Sequence, residues 1–478
     1  MPTIKPEPLF FARLLGIALI LVTVFNGAGS YLRKTGFVDH NAYLAFWKIH
    51  CKPVALLSSS ENGASRCCVD APQKMLPGQR AIEREYASYV YDVPNSEVVF
   101  KRLKDVLGLV LFSLSAYLIV IRSSVLPSLQ AVWPIAILFS YVCLGFLVSL
   151  VHHDALAAGA GLMRLLMFLS LGLIGAWLAP YMAFFASCVG ALLALELALI
   201  PFEMWRSIHL HEHFSLLFLA ARTSGTLVLP NSMGIFAVAS LAFYYAFSQT
   251  RTYLVLLSIV TLGLVLASAS ATGFVCILVL LFFIAIQHAH GRKRAILLCV
   301  ILILSIAAIY LLPEITGRPR VFWSILGSAG RIASLSHAVT DPTLLQLLFG
   351  RGLDVNPLLV SGIVGDMGSK VSADAMRLVA LTTESTITAL IVQIGVLGAL
   401  IFYAVLFWAA VRDHTARLFY LIVAVCSLTI NIIGLFPVNL LLGLALAHSV
   451  WRGRPALLAD PLVAVLPPMV ASRNDDAI

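Results

Sequence analysis

The sequence predicts an all-α fold, a polytopic transmembrane helix bundle of about 12 spans with large extracytoplasmic loops. Of its 478 residues 60% are hydrophobic and 12% are charged, with a mean hydropathy of +0.96, whereas soluble domains carry about 25% charged residues. Apolar runs of 17 residues or more recur along the chain, and such runs are long enough to cross a hydrocarbon layer of ~30 Å as helices. The runs lack the alternation of barrel strands, so helices are expected.

Twelve apolar runs are the expected spans. They lie at about 9–29, 105–121, 131–151, 162–178, 181–201, 232–248, 253–270, 272–288, 295–312, 386–411, 416–434 and 437–451. The chain then divides into seven parts: a first span (1–29), an extracytoplasmic insert (30–104), transmembrane helices (105–201), transmembrane helices with an outer arginine loop (202–312), a large extracytoplasmic loop (313–384), transmembrane helices (385–451) and a cytoplasmic tail (452–478).

Basic residues predict the orientation. They gather at Arg251, 291–294, 412–417 and 452–454, and these connections lie on one side of the membrane if the spans are assigned as above. Cytoplasmic loops carry the Lys and Arg excess, so both termini are expected in the cytoplasm. The basic residues of 101–104 fall on the opposite side, at the end of a long segment where the rule weakens. Because the net charge of +9 is spread over short loops, nucleic acid is not an expected partner.

The insert holds Cys51, Cys67 and Cys68. If it faces an oxidising compartment, Cys51 can pair with Cys67 or Cys68, and the sequence leaves this open. No metal or cofactor is expected, because the chain contains no Walker motif, dinucleotide fingerprint or Ser-His-Asp signature. His209, His211 and His213 would chelate a metal only in an extended segment.

Arg222 precedes a loop rich in Gly and Pro that ends at Pro230-Asn231, before the sixth expected span. A guanidinium is always charged and forked, so at a membrane face it suits a phosphate or diphosphate. The alternative is an interfacial arginine that snorkels to the lipid surface.

The large loop holds further arginines. Arg331 begins a helix-like run that includes His337, and Asp341-Pro342 ends this run before Gly350-Arg351-Gly352. Arg331 and Arg351 are predicted to converge on one anionic group, with Arg318 upstream. The alternative is a basic loop that contacts lipid head groups.

Thr383-Glu384-Ser385 stands at the head of the tenth expected span. A carboxylate at this boundary suits a general base. The same residues also suit a helix N-terminus, with Thr383 or Ser385 as the cap and Glu384 in the first turn.

The order of these features resembles the O-antigen ligase and polysaccharide polymerase family of bacterial inner-membrane glycosyltransferases. The resemblance covers roughly 222–446. Besides the arginine loops, its elements are a Ser/Thr/Gly turn at 268–273 and a polar pair heading a span that carries Gly395 and Gly398.

The resemblance implies an enzyme that moves a glycan from an undecaprenyl diphosphate carrier to an acceptor sugar on the outer side of the bacterial inner membrane, without a cofactor. Family ligases have a His-Asn pair where this chain has Glu384-Ser385, which favours a polymerase of exopolysaccharide or O-antigen repeats. The expected catalytic residues are Glu384 and Arg331, and the expected substrate-binding residues are Arg222, Arg351, Asn231, His337 and Arg318.

Two alternatives stay open: a ligase that transfers oligosaccharide to lipid A or protein, and, in another class, a transporter of the polysaccharide precursor. The partners implied are a lipid-diphosphate-linked oligosaccharide donor and acceptor, membrane lipids, a flippase, and chain-length or export proteins.

Overall fold

A computed structural model describes most of the helical regions of the chain. The described residues are 6–34, 95–121, 129–152, 155–174, 178–210, 225–227, 230–248, 252–268, 270–288, 331–340, 342–353 and 385–452, with short helical pieces between 291 and 303.

All regular structure in these ranges is helical, which confirms the predicted all-α class. The helices are α1 (Pro6–Phe25), α2 (Ala28–Lys34), α3 (Asn95–Ile121), α4 (Leu129–His152), α5 (Ala155–Leu173), α6 (Met182–Leu210), α7 (Pro230–Phe247), α8 (Thr252–Ala267), α9 (Ala271–His288), α10 (Arg331–Thr340), α11 (Leu344–Phe349), α12 (Thr386–Arg412), α13 (Arg417–Ser427) and α14 (Phe436–Arg452). A 3₁₀ turn, Ala179–Tyr181, precedes α6.

Three stretches among the described residues are long and apolar enough to cross a membrane as helices. They are Val132–Leu150 in α4, Ala179–Trp205 around α6 and Thr386–Arg412, which is α12. The apolar stretches that lie in the remaining helices of these ranges are shorter, at 10–17 residues each.

The core is built around α7, which packs against α6, α8, α9, α13 and α14. Residues 235–239 of this helix are fully buried in succession, as expected for a helix that is apolar on all sides. Phe243 of α7 contacts Phe419 of α13 edge-to-face, with ring centroids 5.6 Å apart. This contact joins α13 to the central helix α7.

The bundle has two ends, here called upper and lower. At the upper end α1, α4 and α6 finish and α5, α12 and α14 begin. At the lower end, the fully buried Asp413 follows α12 and accepts a hydrogen bond of 2.5 Å from His448 Nδ1 of α14. Asp413 also accepts from the backbone N–H groups of Thr415 and Ala416, at 3.0 and 3.3 Å. This carboxylate therefore ties the α12–α13 turn to α14.

Several helix boundaries differ from the sequence prediction, most of all the starts of α3 and α5 and the ends of α6 and α13. The helix expected over 416–434 ends at Ser427, because the next residues bond to the backbone in turns. Thr429 Oγ1 donates to the Cys426 carbonyl (3.0 Å), and Asn431 Oδ1 accepts from Gly434 N (3.1 Å), as short polar side chains do when they compete with a helix. The helix expected to begin near 105 begins at Asn95.

Lys104 of α3 is a buried cation at the upper end, only 8% exposed. Its Nζ lies 3.5 Å from Asn26 Oδ1 and 5.6 Å from the centre of the Phe436 ring. These local contacts explain the presence of a lysine at this position. It is therefore a poor marker of membrane orientation, which agrees with the exception noted in the sequence.

Candidate functional site

The most unusual feature of the upper end is a break in α12, ten residues after its N-cap. Gly395 has φ 75° and ψ 174°, so the helix is interrupted between Ile394 and Val396. Only glycine adopts this conformation readily. The sequence predicts a span over 386–411, and the structure has an apolar helix long enough for a span over Thr386–Arg412, with this break inside it.

A segment from the large loop fills the break. The α11 helix packs against α12, and the residues that follow it run along the interrupted turn. The backbone N–H of Arg351 donates to Val392 O at 2.7 Å, and that of Gly352 donates to Gln393 O at 3.2 Å. In an unbroken helix residues 396 and 397 would donate to these carbonyls. The segment therefore satisfies acceptors that the break exposes.

Two glycines allow this close approach. A Cβ atom on Gly395 would lie 2.1 Å from Leu348 O, and one on Gly350 would lie 2.3 Å from Gln393 O. Gly350 also ends α11, with φ 88°. The backbones at Gly350 and Gly395 are therefore so close that a side chain on either residue would clash with the other segment.

The same segment is held from the other side by α4 and α5. Tyr141 of α4 donates its hydroxyl to Leu348 O (3.0 Å) and stacks on Phe349 with ring centroids 6.4 Å apart. Ser149 Oγ of α4 accepts from Leu353 N at 2.6 Å. A Cβ atom on Gly161 of α5 would lie 2.3 Å from Leu353 O. Residues 344–353, here called the docked segment, therefore contact α4, α5 and α12, and the buried part of the segment lies at its end, at Gly350, Gly352 and Leu353.

The docked segment places Arg351 at the break. This residue is partly buried, and its backbone N–H and that of Gly352 donate to carbonyls of α12. Gln393 of α12, which accepts from Gly352, is only 8% exposed. The second half of α12 begins beside them, and a helix N-terminus carries a partial positive charge. A guanidinium next to such a terminus can bind an anion such as a phosphate.

A second group of polar residues lies where α1, α6 and the 225–227 turn meet. Glu196 and Glu203 of α6 are both buried, and they accept hydrogen bonds from the turn. Tyr31 of α2 donates its hydroxyl to Leu199 O of α6 at 3.1 Å. Burial, with a smaller contribution from the two carboxylates, raises the pKa of Tyr31 to about 12, so this hydroxyl keeps its proton at neutral pH.

The 268–273 turn and the start of α7 are in contact. A Cβ atom on Gly234 would lie 2.4 Å from Ser270 Cβ, and one on Gly273 would lie 3.0 Å from the Gly234 backbone. These glycines serve close packing of α7 against α9.

The seven predicted site residues fall into three groups. Arg351 is described, and its backbone lies at the break. Arg331 and His337 belong to α10, which packs against α12, and Asn231 is the second residue of α7; the side chains of these three are not among those described. Arg222, Arg318 and Glu384 lie outside the described residues, as do Cys51, Cys67, Cys68, His211 and His213.

The N-terminus of α12 has the cap that the sequence offered as an alternative reading. Ser385 is the N-cap, and its side chain accepts from Thr388 N at 3.1 Å. Thr386 Oγ1 donates to Ile430 O (2.9 Å) and accepts from Ile432 N (2.9 Å), which joins this end of α12 to the 428–435 turn. Glu384 precedes this cap by one residue in the sequence and lies outside the described residues.

Sequence reasoning missed the α11 helix, the break and the carboxylates of α6. One signal was present: Thr343 and Gln346 have the spacing of a capping box, and the structure forms both of its hydrogen bonds. Among the described residues, no three His, Cys, Asp or Glu side chains gather as a metal site would require. No family model and no curated protein matches the chain.

Proposed function

We propose that the chain is a bacterial inner-membrane glycosyltransferase of about twelve spans, which joins undecaprenyl-diphosphate-linked oligosaccharide repeats into an exopolysaccharide or O-antigen. The upper end faces outward in this proposal, and both termini are cytoplasmic. The single observation that carries it is the docked segment, which holds the partly buried Arg351 beside a broken helix.

The membrane part of the proposal rests on apolar length and apolar exposure. The three long apolar helices have large hydrophobic side chains on their outer surfaces, among them Trp133, Phe184 and Phe407, which is 73% exposed. Lipid is the solvent that makes such exposure favourable. Helices α7, α9, α12 and α14 finish at the opposite end from the break, and basic residues follow each of them in the sequence, which supports a cytoplasmic lower end.

The proposed chemistry needs an anion site and a base. An acceptor hydroxyl oxygen forms a bond to the anomeric carbon of the donor, the bond from that carbon to the diphosphate breaks, and the diphosphate leaves with the electron pair. Fixed guanidinium groups stabilise the developing charge, a role assigned to Arg351 together with Arg331 and Arg222. The hydroxyl proton passes to a carboxylate, for which Glu384 is the candidate.

The direct test incubates purified protein with a lipid-diphosphate-linked oligosaccharide and resolves the glycan products by length. Wild-type protein should yield a ladder of repeats. Arg351→Ala should lower kcat/KM by roughly a hundred-fold, since loss of a charge-assisted contact of ~2–3 kcal/mol corresponds to that factor. Arg351→Lys should lose less, because it keeps the charge but not the fork. A full ladder from Arg351→Ala would remove this residue from the mechanism.

A second candidate, a transporter of the lipid-linked precursor, is favoured by one observation, the discontinuous α12. Interrupted helices with exposed termini form substrate sites in many transporters. The same incubation separates the two functions, because a transporter moves its substrate without changing glycan length. Transfer of sugar to lipid A or protein instead of to another repeat would identify a ligase.

A further inference from the structure

The outer face of α12, between the break and the lower end, carries a continuous apolar stripe. Its members are Leu400, Ala404, Phe407 and Val411, and all four are exposed. At about 100° per residue these positions fall within roughly 60° of one another around the helix axis, so they form one line along the helix. Leu400, Phe407 and Val411 are 62%, 73% and 53% exposed. The stripe therefore offers large apolar side chains down to the last turn of α12.

Two guanidinium groups flank the lower end of this stripe. The Cζ atom of Arg412 lies 5.3 Å from the centre of the Trp408 ring. Arg417, the first residue of α13, donates from Nε to the carbonyl oxygen of Ala410 at 3.2 Å. Around the helix axis Ala410 lies about 60° to one side of Phe407, whereas Arg412 lies about 140° to the other side. The stripe thus ends between two positive charges.

His414 adds a further hydrogen-bond donor at this end. Its side chain is exposed, and its Nδ1 contacts Nη2 of Arg417. A guanidinium can only donate hydrogen bonds, so Nδ1 is the acceptor in this contact. The proton of the ring is then on Nε2, which leaves that N–H available beside the two arginines.

No exposed carboxylate from the same helices neutralises these charges. Asp413 is the only acidic residue in the sequence between 385 and 452, and it is fully buried. Its carboxylate accepts from Thr415 N, Ala416 N and His448 Nδ1, so it is directed into the bundle. The surface at the lower end therefore carries a net positive charge next to an apolar stripe.

We infer that this surface, here called the lower lipid site, binds one anionic phospholipid of the lower leaflet. The inference rests on the membrane placement in the proposed function. The head-group phosphate lies between Arg412 and Arg417, because guanidinium groups form strong, charge-assisted hydrogen bonds to phosphate. An acyl chain lies along the stripe, and Trp408 lies at the level where aromatic residues meet the head groups of a bilayer.

A second copy of the chain fits the stripe less well. Helices that pack against each other inside a membrane meet at small residues, which let the backbones approach closely. Three of the four side chains in the stripe are large. Two copies would also bring their arginines together, whereas a phosphate complements them.

The test of the lower lipid site measures lipid retention. Protein reconstituted in nanodiscs of equal parts phosphatidylglycerol and phosphatidylcholine is released into mild detergent, and native mass spectrometry counts the lipids that stay bound. Wild-type protein should retain phosphatidylglycerol in preference to phosphatidylcholine. Inorganic phosphate should not displace it, because free phosphate gains nothing from the stripe. Equal retention of the two lipids, or displacement by inorganic phosphate, overturns the inference.

The double variant Arg412→Gln with Arg417→Gln removes both guanidinium groups. A basic residue near an anionic surface contributes about 1 kcal/mol, so the affinity for phosphatidylglycerol should fall about thirty-fold, which corresponds to about 2 kcal/mol. The double lysine variant should keep most of the preference, because it keeps both charges. Unchanged retention of phosphatidylglycerol by the glutamine variant would show that these arginines do not bind the head group.

The matched control is Arg292→Gln. Arg292 is also exposed, and it belongs to the basic connection that follows α9. The substitution removes the same charge from another part of the surface and should leave lipid retention unchanged. An equal loss in this variant would mean that net charge alone attracts the lipid, and the assignment to α12 and α13 would be wrong.

Phe407→Gln tests the stripe itself. It should lower the retention of both lipids, because both use their acyl chains there. A wild-type dimer that Phe407→Gln dissociates would identify a second copy as the occupant and overturn the inference. Wild-type protein that alkaline carbonate extracts from membranes would refute the membrane placement, and with it both proposals. Protein that stays in the membrane but retains the two lipids equally refutes the lower lipid site alone.

Discussion

Replacing Gly395 with alanine is expected to remove nearly all transfer activity while the helical bundle stays folded. The added Cβ would lie 2.1 Å from Leu348 O, and the backbone conformation itself costs a non-glycine residue about 1–3 kcal/mol. The docked segment must then move away from α12, and Arg351 moves with it. A displacement worth ~3 kcal/mol in the transition state lowers the rate by roughly a hundred-fold. The measurement is kcat/KM for the oligosaccharide ladder.

Gly263→Ala is the matched control for this substitution. Gly263 lies within α8, and its added Cβ would meet only Leu197 Cδ1 at an ordinary 3.6 Å. Alanine at a helical position without strain stabilises a protein by about 0.4–1 kcal/mol. The control should therefore keep full activity. Equal activity in Gly395→Ala and Gly263→Ala would mean that the break does not position a catalytic group.

Replacing Asp413 with alanine is expected to cause the largest loss of stability of any single substitution considered. The change removes the acceptor of His448 and of two backbone N–H groups, and Ser449 Oγ lies 3.3 Å from the same carboxylate. Each buried donor that is left without its acceptor costs about 1–3 kcal/mol, and Asp413 accepts from several donors at once. The measurement is the free energy of unfolding in detergent, by denaturant titration followed by circular dichroism.

Ser449→Ala is the reference variant, against which the loss of stability in Asp413→Ala is compared. It deletes one neutral hydrogen-bond partner of the same network and should cost about 1 kcal/mol. Because the network lies at the lower end, neither variant should change the KM for donor once folded protein is compared. A loss below 1 kcal/mol for Asp413→Ala would show that the buried contacts do not hold the lower end together.

The sequence predicted the helical class, and it did so because composition and run length are sufficient for that purpose. It did not predict the break at Gly395, since the 386–411 run contains no proline and glycine is common in membrane helices. The conformation of Gly395 becomes necessary only when Leu348 lies against it, and that contact joins residues far apart in the chain. The end of α13 at Ser427 has the same kind of explanation, because Thr386 contacts the turn that follows it.

The candidate site was predictable in part. Arg351 could be singled out because an arginine between two glycines stands out in an outer loop, and Ser385 could be identified as a cap from local spacing. In the sequence, Glu196 is recognisable only as a rare charged residue inside an expected span. Its partner, Thr226, is 30 residues away, and no local pattern indicates such a pairing.

Chemical crosslinking between Tyr141→Cys and Phe349→Cys tests the docked segment most directly. These rings stack with centroids 6.4 Å apart, so a short bifunctional thiol reagent should join the two cysteines in native membranes, with the bridge mapped by mass spectrometry. The control pairs Phe349→Cys with Phe407→Cys, which lies roughly 18 Å further along α12 from the break and should not crosslink. Crosslinking of the first pair only is the predicted result. No crosslink between positions 141 and 349 in folded protein would contradict docking of the loop at the broken helix.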